Sequence, residues 1–194
     1  DEKHIATLSR GYKRNTEGYY LADKNATAKT LGDEPFQFYK KFKNHIKVAV
    51  DADRQNGIQR LMQHEICPEV ILLDDAFQHL QVDRNLNVVL MDAKRPYGNG
   101  FPLPAGLLRE FPCALKRADL VVLTRASESW VDLDLQGLPI AISRHRFSSQ
   151  LRALSGGQIR LDDLLGKQGV AFSGIANTEQ FFDGLRGKGL TLKE

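Results

Sequence analysis

Short apolar segments recur along the chain and alternate with polar stretches. Seven of them have the length of a strand and are rich in Val, Ile and Leu without strict alternation: residues 4–8, 47–50, 70–73, 87–91, 120–123, 139–142 and 170–172. Continuous apolar runs of this length are typical of strands that are covered on both faces, as in a parallel sheet. The pattern therefore predicts seven buried strands.

Between several of these strands the apolar spacing changes to that of a helix. Pro35 follows Asp33 and Glu34 and opens FQFYKKF, which predicts a helix with acidic residues at its positive end. Helical spacing also predicts helices over residues 57–66, 107–115 and 178–185, the last with Thr178 as N-cap and Gly187 as its end. Alternation of strand and helix predicts an α/β fold with a mainly parallel sheet.

The pattern changes near residues 144–157, where HRFSSQLRALSGGQ alternates and ends in a Ser-Gly-Gly break. We therefore expect three parts: a core lobe over residues 1–143, linker strands over residues 144–157, and part of a second, smaller α/β lobe over residues 158–194.

Charge and cysteine content narrow the class of protein. The formal net charge of +3 comes from 27 basic and 24 acidic side chains that are spread along the chain, and no basic stripe with aromatic residues predicts nucleic-acid binding. Cys67 and Cys113 form no CxxC pair and have no nearby histidine at metal-ligand spacing, so we expect reduced thiols of a cytosolic protein. No apolar run approaches the roughly 18 residues that a membrane span needs.

Polar residues follow the predicted strands, and in a parallel α/β sheet the ligand lies beyond these carboxyl ends. The segment VILLDDAFQH has the form of a Walker B strand, which makes Asp74 and Asp75 candidates for holding Mg²⁺; the alternative is a strand followed by a turn. Asp33 and Glu34 in GDEP offer two further carboxylates, with helix capping as the alternative.

Three arginines occupy similar positions after strands. Arg10, Arg14 and Arg54 have the planar guanidinium that binds phosphate through two parallel hydrogen bonds, although each is also compatible with an ordinary surface position. The Gly- and Pro-rich stretch over residues 92–104 leads to Arg109 and Glu110 and predicts a lid, a substrate rim or a plain surface loop. No GxxxxGK[ST] motif occurs, so these residues contain no Walker A loop.

Six segments, read in order, resemble the tetraacyldisaccharide 4'-kinase family of Gram-negative bacteria: LSRGYKR, GDEP, DADR, VILLDDAFQH, LPAGLLRE with KRADLVVLT, and AFSGIAN. The resemblance implies a P-loop-kinase-like α/β/α sandwich with a second lobe. It also implies transfer of the γ-phosphate of ATP to the 4'-hydroxyl of a tetraacylated glucosamine disaccharide 1-phosphate in lipid A biosynthesis. The family works at the cytoplasmic face of the inner membrane, which it reaches through a segment absent from these residues.

The resemblance also implies roles for single residues. Asp33 would be the base for the 4'-hydroxyl. Asp74 and Asp75 would hold Mg²⁺, and Glu34 would help them to hold the ion. The residues expected to line the nucleotide and disaccharide cleft are Tyr12, Arg14, Arg54, Gln78 and Glu110. Ala76 stands where the family more often has Gly, which implies no positive φ there.

Two family features are expected outside these residues: a GGTGKT-type phosphate loop before residue 1 and a His-containing segment after Glu194. We therefore expect the 194 residues to be inactive, or nearly so, by themselves. Two other interpretations stay open, namely another P-loop enzyme that shares only the Walker B strand, and a non-catalytic α/β binding module.

Overall fold

The computed structural model describes residues 3–126, 135, 137–175 and 178–193. The described strands are β1 (Ile5–Ser9), β2 (Tyr20–Leu21), β3 (Ile46–Val50), β4 (Val70–Leu73), β5 (Val88–Asp92), β6 (Leu120–Thr124), β7 (Ile140–Ile142), β8 (Gln150–Arg152), β9 (Gln158–Arg160), β10 (Gln168–Gly169) and β11 (Thr191–Leu192). The α-helices are α1 (Ala28–Leu31), α2 (Asp33–Phe42), α3 (Arg54–Met62) and α4 (Glu179–Gly187), and 3₁₀ turns span Lys43–His45, Pro112–Arg117 and Leu161–Leu164.

The largest sheet has the strand order β2-β3-β1-β4. Strands β3 and β4 both run parallel to β1, and the short β2 pairs antiparallel with β3. Thr7 in the middle of β1 aligns with Val48 on one side and Leu72 on the other. This arrangement confirms the predicted α/β fold with a mainly parallel sheet.

Helix α3 covers one face of this sheet. Leu61 is fully buried against Ala6, Leu8 and Ala49 of the strands. The helix begins at Arg54 because the side chain of Asp53 accepts hydrogen bonds from the amides of Gln55 and Asn56 and so caps the first turn. It therefore starts three residues earlier than the apolar spacing predicts.

Helix α2 lies against the other face. Phe36 and Tyr39 pack on a cluster that contains the buried Leu31 and Val50. Beyond this cluster a cavity of about 370 Å³ remains, lined largely by apolar side chains from α2, β1, β3 and β4. Leu72 of β4 is 55% exposed at this place, so this face is covered only in part.

The remaining strands form smaller sheets: β5-β6-β7 with three strands, β8-β9, and β10-β11. By contact density the chain forms two compact units, one comprising Asp1–Val89, Asn99–Val121 and Gln136–Pro139, and the other Leu90–Gly98, Val122–Leu135 and Ile140–Glu194. The domain limits expected at residues 143 and 157 stay predictions.

Six of the seven predicted strands are present within two residues of their expected ends. The expectation that all are covered on both faces is wrong for β5, because Val88 and Leu90 are 44% and 71% exposed. The seventh, over residues 170–172, is wrong, because β10 ends at Gly169 and the following residues pair with no strand. Val170 and Phe172 are 77% and 92% exposed, so their apolar character reflects no burial in a sheet. Residues 176 and 177 of the AFSGIAN segment lie outside the described residues.

The helix predicted over residues 107–115 is also wrong. A 3₁₀ turn over Pro112–Arg117 takes its place, and Phe111 before the proline has the extended backbone (φ −63°, ψ 152°) that proline imposes on its predecessor. Helix α4 is confirmed, although Thr178 makes no side-chain cap bond and Gly187 is the last helical residue. Within the described ranges no helix is long and apolar enough to cross a membrane.

Candidate functional site

The carboxyl ends of β1, β3 and β4 meet at one edge of the main sheet. The amide of Asp51 donates to the carbonyl oxygen of Ser9 across 3.0 Å, and the amide of Asp74 donates to that of Leu8 across 3.1 Å. Parallel pairing thus brings the residues after three separate strands together, because their ends share the same edge. This edge holds several of the residues that the strand-end pattern singles out.

Asp74 and Asp75 follow β4 directly but have different surroundings. The hydroxyl of Ser9 donates to Oδ2 of Asp74 across 3.2 Å, which ties the half-buried carboxylate to the end of β1. Asp75 has a left-handed backbone (φ 48°) and an exposed side chain whose Oδ1 lies 2.5 Å from Nη1 of Arg109. Ala76 is absent from the residues with positive φ, in agreement with the expectation from its sequence position.

Asp33 and Glu34 form the exposed first turn of α2, where the positive end of the helix dipole favours their negative charge. The residue before them, Gly32, has φ 91°, and a Cβ there would lie 3.0 Å from the carbonyl oxygen of Tyr12. The loop after β1 is therefore in direct contact with the start of α2. Tyr12 in this loop is 77% exposed.

Arg14 is anchored within this loop. Its guanidinium donates to the carbonyl oxygen of Gly18 at 2.5 Å, to the hydroxyl of Thr16 at 3.2 Å and to the carbonyl oxygen of Val50 at 3.5 Å. Burial lowers the pKa of Arg14, and the nearby charge of Asp51 opposes this shift. Two of these three bonds lie within the loop, and the longest joins the loop to the end of β3.

Arg54 is the most deeply buried arginine of the edge, with 3% of its surface exposed. It donates to the carbonyl oxygen of Asp51 and, across 3.2 Å, to that of Asp74. Burial lowers the pKa of Arg54 and the positive charge of Arg10 lowers it further, whereas neighbouring carboxylates, Asp74 first, raise it. Arg54 therefore joins the ends of β3 and β4, and a direct contact with a ligand stays a prediction.

The other two residues expected in the cleft lie in different settings. Gln78 is exposed in the turn after β4. Glu110 is about two-thirds buried, and both of its carboxylate oxygens accept from Nη2 of Arg117, at 2.8 and 2.9 Å. Glu110 precedes the 3₁₀ turn, and the ion pair with Arg117 holds its carboxylate.

The donor set at this edge fits Mg²⁺. Within the described residues no cluster of three or more His, Cys, Asp or Glu side chains could hold a metal alone. Mg²⁺ bound beside a nucleotide needs only one or two carboxylates, since water and phosphate oxygens complete its shell. The carboxylate of Asp74, with the Ser9 hydroxyl 3.2 Å away, offers the hard oxygen atoms that such a site requires.

Several residues at the edge were not singled out from the sequence as site residues. Ser9 and Asp51 are almost fully buried at the ends of β1 and β3, and their place directly after apolar runs is a signal that could have found them. Arg117 lies in the KRADLVVLT segment but had no expected role. No sequence pattern marks Arg84, because its contacts depend on the path of the irregular turn that follows β4.

Comparison with known proteins agrees with the fold. The model of the family described as tetraacyldisaccharide-1-P 4'-kinase matches residues 1–194. A curated tetraacyldisaccharide 4'-kinase from Flavobacterium johnsoniae is 39% identical over 196 residues, which cover 93% of this chain and 56% of the relative. The corresponding protein from Syntrophotalea carbinolica is 41% identical over 198 residues, which cover 98% of this chain and 54% of the relative.

A solved structure leads to the same family. The crystal structure of LpxK from Aquifex aeolicus in complex with ATP matches with a TM-score of 0.80 and 32% identity, and the match covers 99% of this chain and 60% of that chain. The chain therefore spans a little over half the length of the relatives that it matches. The full-length match to the family model and the likeness in sequence and fold show that the chain belongs to the tetraacyldisaccharide-1-P 4'-kinase family.

Proposed function

We propose that this chain forms the central part of an enzyme that transfers the γ-phosphate of ATP to the 4'-hydroxyl of a tetraacylated glucosamine disaccharide 1-phosphate, a step of lipid A biosynthesis. The observation that carries the proposal is the meeting of Asp74, Ser9 and Arg54 at the carboxyl edge of the sheet. Family membership supports it, because curated relatives are named tetraacyldisaccharide 4'-kinases and a solved relative binds ATP.

In this proposal Asp33 accepts the proton of the 4'-hydroxyl. The freed oxygen attacks the γ-phosphorus, the bond to the bridging β,γ oxygen breaks, and ADP leaves. Asp33 suits this role because its carboxylate is exposed at a helix start, and because the loop that contacts the preceding Gly32 carries the exposed Tyr12. General-base assistance of this kind accelerates a reaction by about 10²–10⁴-fold.

Asp74 and Asp75 would hold Mg²⁺, with Glu34 as a further oxygen donor close to the base. When bound, the ion neutralises the charge that develops on the β and γ phosphates. Asp75 is paired with Arg109 at the surface, and such exposed pairs are weak enough to open when a ligand arrives. Arg109 would then be free to face the phosphate groups.

Tyr12, Arg14, Arg54, Gln78 and Glu110 would line or support the cleft for the nucleotide and the disaccharide. Tyr12 and Gln78 are exposed and suit direct contact, whereas Arg14, Arg54 and Glu110 are engaged within the protein and suit a supporting role. The enzyme would act at the cytoplasmic face of the inner membrane, where its acylated substrate lies.

The proposal is tested with the full-length gene product, ATP labelled in the γ-phosphate, Mg²⁺ and the tetraacylated disaccharide 1-phosphate. We expect label in the lipid, and we expect Asp33→Asn to lower kcat by about 10²–10⁴-fold with little change in KM. Glu17→Gln, which removes an exposed carboxylate in the loop after β1, should retain normal activity. Absence of transfer by the unsubstituted protein, or full activity of Asp33→Asn, would refute the proposal.

A further inference from the structure

Three arginines from separate parts of the chain donate to main-chain oxygens of one short segment. The segment comprises residues 74–79 and is called the 74–79 loop. Arg54 donates to the carbonyl of Asp74 across 3.2 Å. Arg84 donates through a single nitrogen, Nη1, to the carbonyls of Ala76 at 2.5 Å and His79 at 3.2 Å. Most of the turn after β4 is thus held by guanidinium groups.

Arg117 adds a fourth attachment and a contact with a side chain. Its Nη2 lies 3.5 Å from the carbonyl oxygen of Phe77, and its guanidinium carbon lies 4.6 Å from the centre of the Phe77 ring. The same nitrogen binds both oxygens of Glu110, so the cation is itself held in place. A cation over an aromatic face is attracted by the negative face of the ring, so this contact also favours the observed position of Phe77.

These three arginines contribute less to the free energy of folding than their number of hydrogen bonds suggests. The Nε atoms of Arg54, Arg84 and Arg117 are each buried and lack a hydrogen-bond partner in the described part of the chain. A buried donor without a partner costs free energy, which offsets part of what the other hydrogen bonds of each guanidinium contribute. Their geometric effect is different, because a planar group that binds several carbonyls restricts the path of the backbone.

The restricted backbone is the one that presents Asp74 and Asp75. Asp75 has a left-handed backbone, which is costly for a residue with a side chain and persists only when the surrounding contacts require it. We propose that Arg84 and Arg117 are positioning residues, which hold the 74–79 loop so that Asp74 and Asp75 keep the geometry that binds Mg²⁺. This inference rests on the proposed function for its metal, but its structural part can be tested without it.

Hydrogen exchange in the full-length protein measures the structural part without lipid or metal. The amide of His79 donates to the carbonyl of Ala76, one of the atoms that Arg84 holds. In Arg84→Ala and Arg117→Ala we expect the amide of His79 to exchange about tenfold faster, which corresponds to ~1.4 kcal/mol of local opening. Arg60→Ala, which removes an exposed arginine of α3, should leave this exchange unchanged. Unchanged exchange in both loop variants would overturn the proposal.

The functional part is read from metal affinity. In the full-length loop variants we expect two quantities to rise about 10- to 100-fold. One is the dissociation constant of Mn²⁺ in the presence of ATP, measured by titration with electron paramagnetic resonance. The other is the half-saturating Mg²⁺ concentration of the kinase reaction. The KM for the lipid should stay the same, which separates loss of position from general loss of structure. A loop that exchanges faster while metal affinity is unchanged would also overturn the proposal.

Arg84→Lys covers the case in which Arg84→Ala does not fold. Lysine keeps the charge but lacks the planar fork. We therefore expect the loop to exchange faster and the metal to bind more weakly than in the unsubstituted protein, and we expect both changes to be smaller than those in Arg84→Ala. If the unsubstituted protein phosphorylates no lipid, the proposed function is wrong, and the exchange and Mn²⁺ measurements still decide the role of the arginines.

Discussion

The hydroxyl of Ser9 donates to Oδ2 of Asp74 across 3.2 Å, and thereby links the end of β1 to the first candidate metal carboxylate after β4. Ser9 is only 3% exposed, so its side chain has little freedom to turn away from Asp74. A hydrogen bond to a charged group contributes about 1.5–3 kcal/mol to stability. The orientation of Asp74 therefore depends on a side chain of a neighbouring strand.

Ser9→Ala tests this dependence in the full-length protein. We expect kcat/KM to fall by about tenfold or more, since ~1.4 kcal/mol corresponds to a factor of ten, and we expect the half-saturating Mg²⁺ concentration to rise. Steady-state kinetics at varied Mg²⁺ measures both quantities.

Thr7→Val provides a matched control two residues earlier on the same strand. The hydroxyl of Thr7 is buried and has no hydrogen-bond partner among the described residues, so its removal should keep or slightly increase stability and leave the Mg²⁺ dependence unchanged. Equal loss of activity in both variants would show that β1 merely tolerates no substitution and that the Ser9 contact has no special role.

The contact between α3 and β1 depends on the absence of a side chain at position 57. A Cβ on Gly57 would lie 2.8 Å from both methyl carbons of Leu8 and 3.2 Å from Cβ of Asp51. We expect Gly57→Ala to lower the free energy of unfolding by about 1–3 kcal/mol through overpacking. Urea unfolding followed by circular dichroism measures the change.

Gly187→Ala is the helical control for this substitution. Gly187 is the last residue of α4, and a Cβ there meets no atom within 4 Å. Because alanine has the higher helix propensity, the variant should gain up to about 1 kcal/mol. A Gly57→Ala protein that is as stable as the original would show that α3 can move away from β1 without loss.

The main sheet and the acidic residues at its edge could be predicted from the sequence because their signals are local. Runs of Val, Ile and Leu end in carboxylates at residues 74 and 75, and the alternation with helices fixes the direction of the strands. Parallel pairing then brings strand ends together whatever the details of packing. The start of α2 at Asp33 follows from the same kind of local pattern.

The supporting residues could not be predicted in this way. Whether Arg54 contacts a ligand or lies buried between two strand ends depends on the packing of α3, which no spacing reveals. Arg84 acts through contacts with carbonyls five and eight residues earlier in an irregular turn, and such turns have no periodicity. The helix expected over residues 107–115 failed because the effect of Pro112 outweighs the apolar spacing.

Two leucines on opposite faces of the main sheet should differ in their contribution to stability. Leu61 of α3 is fully buried, whereas Leu72 of β4 is 55% exposed beside the cavity of about 370 Å³. We expect Leu61→Ala to cost about 2–5 kcal/mol and Leu72→Ala less than about 1 kcal/mol in urea unfolding. A large cost for Leu72→Ala would indicate that this face of the sheet is covered in solution.

Tyr19 should make stability depend on alkaline pH. Its hydroxyl lies 3.1 Å from Nε2 of His64, and burial raises the pKa of Tyr19, an effect that the nearby charge of Arg60 opposes. Because the folded pKa lies above the ordinary value of about 10, the stabilisation is fully present below that pH. It is lost as the pH rises through the folded pKa.

Tyr19→Phe removes this titration. We expect the variant to be less stable than the original protein at pH 8, and the difference in unfolding free energy to shrink between about pH 10 and pH 12, as measured by urea unfolding at each pH. Tyr12→Phe, at a 77% exposed position, should change stability by less than about 0.5 kcal/mol at pH 8 and controls for loss of a phenol hydroxyl. A difference between Tyr19→Phe and the original protein that stays constant up to pH 12 would mean that the Tyr19 hydroxyl keeps the same proton affinity after unfolding.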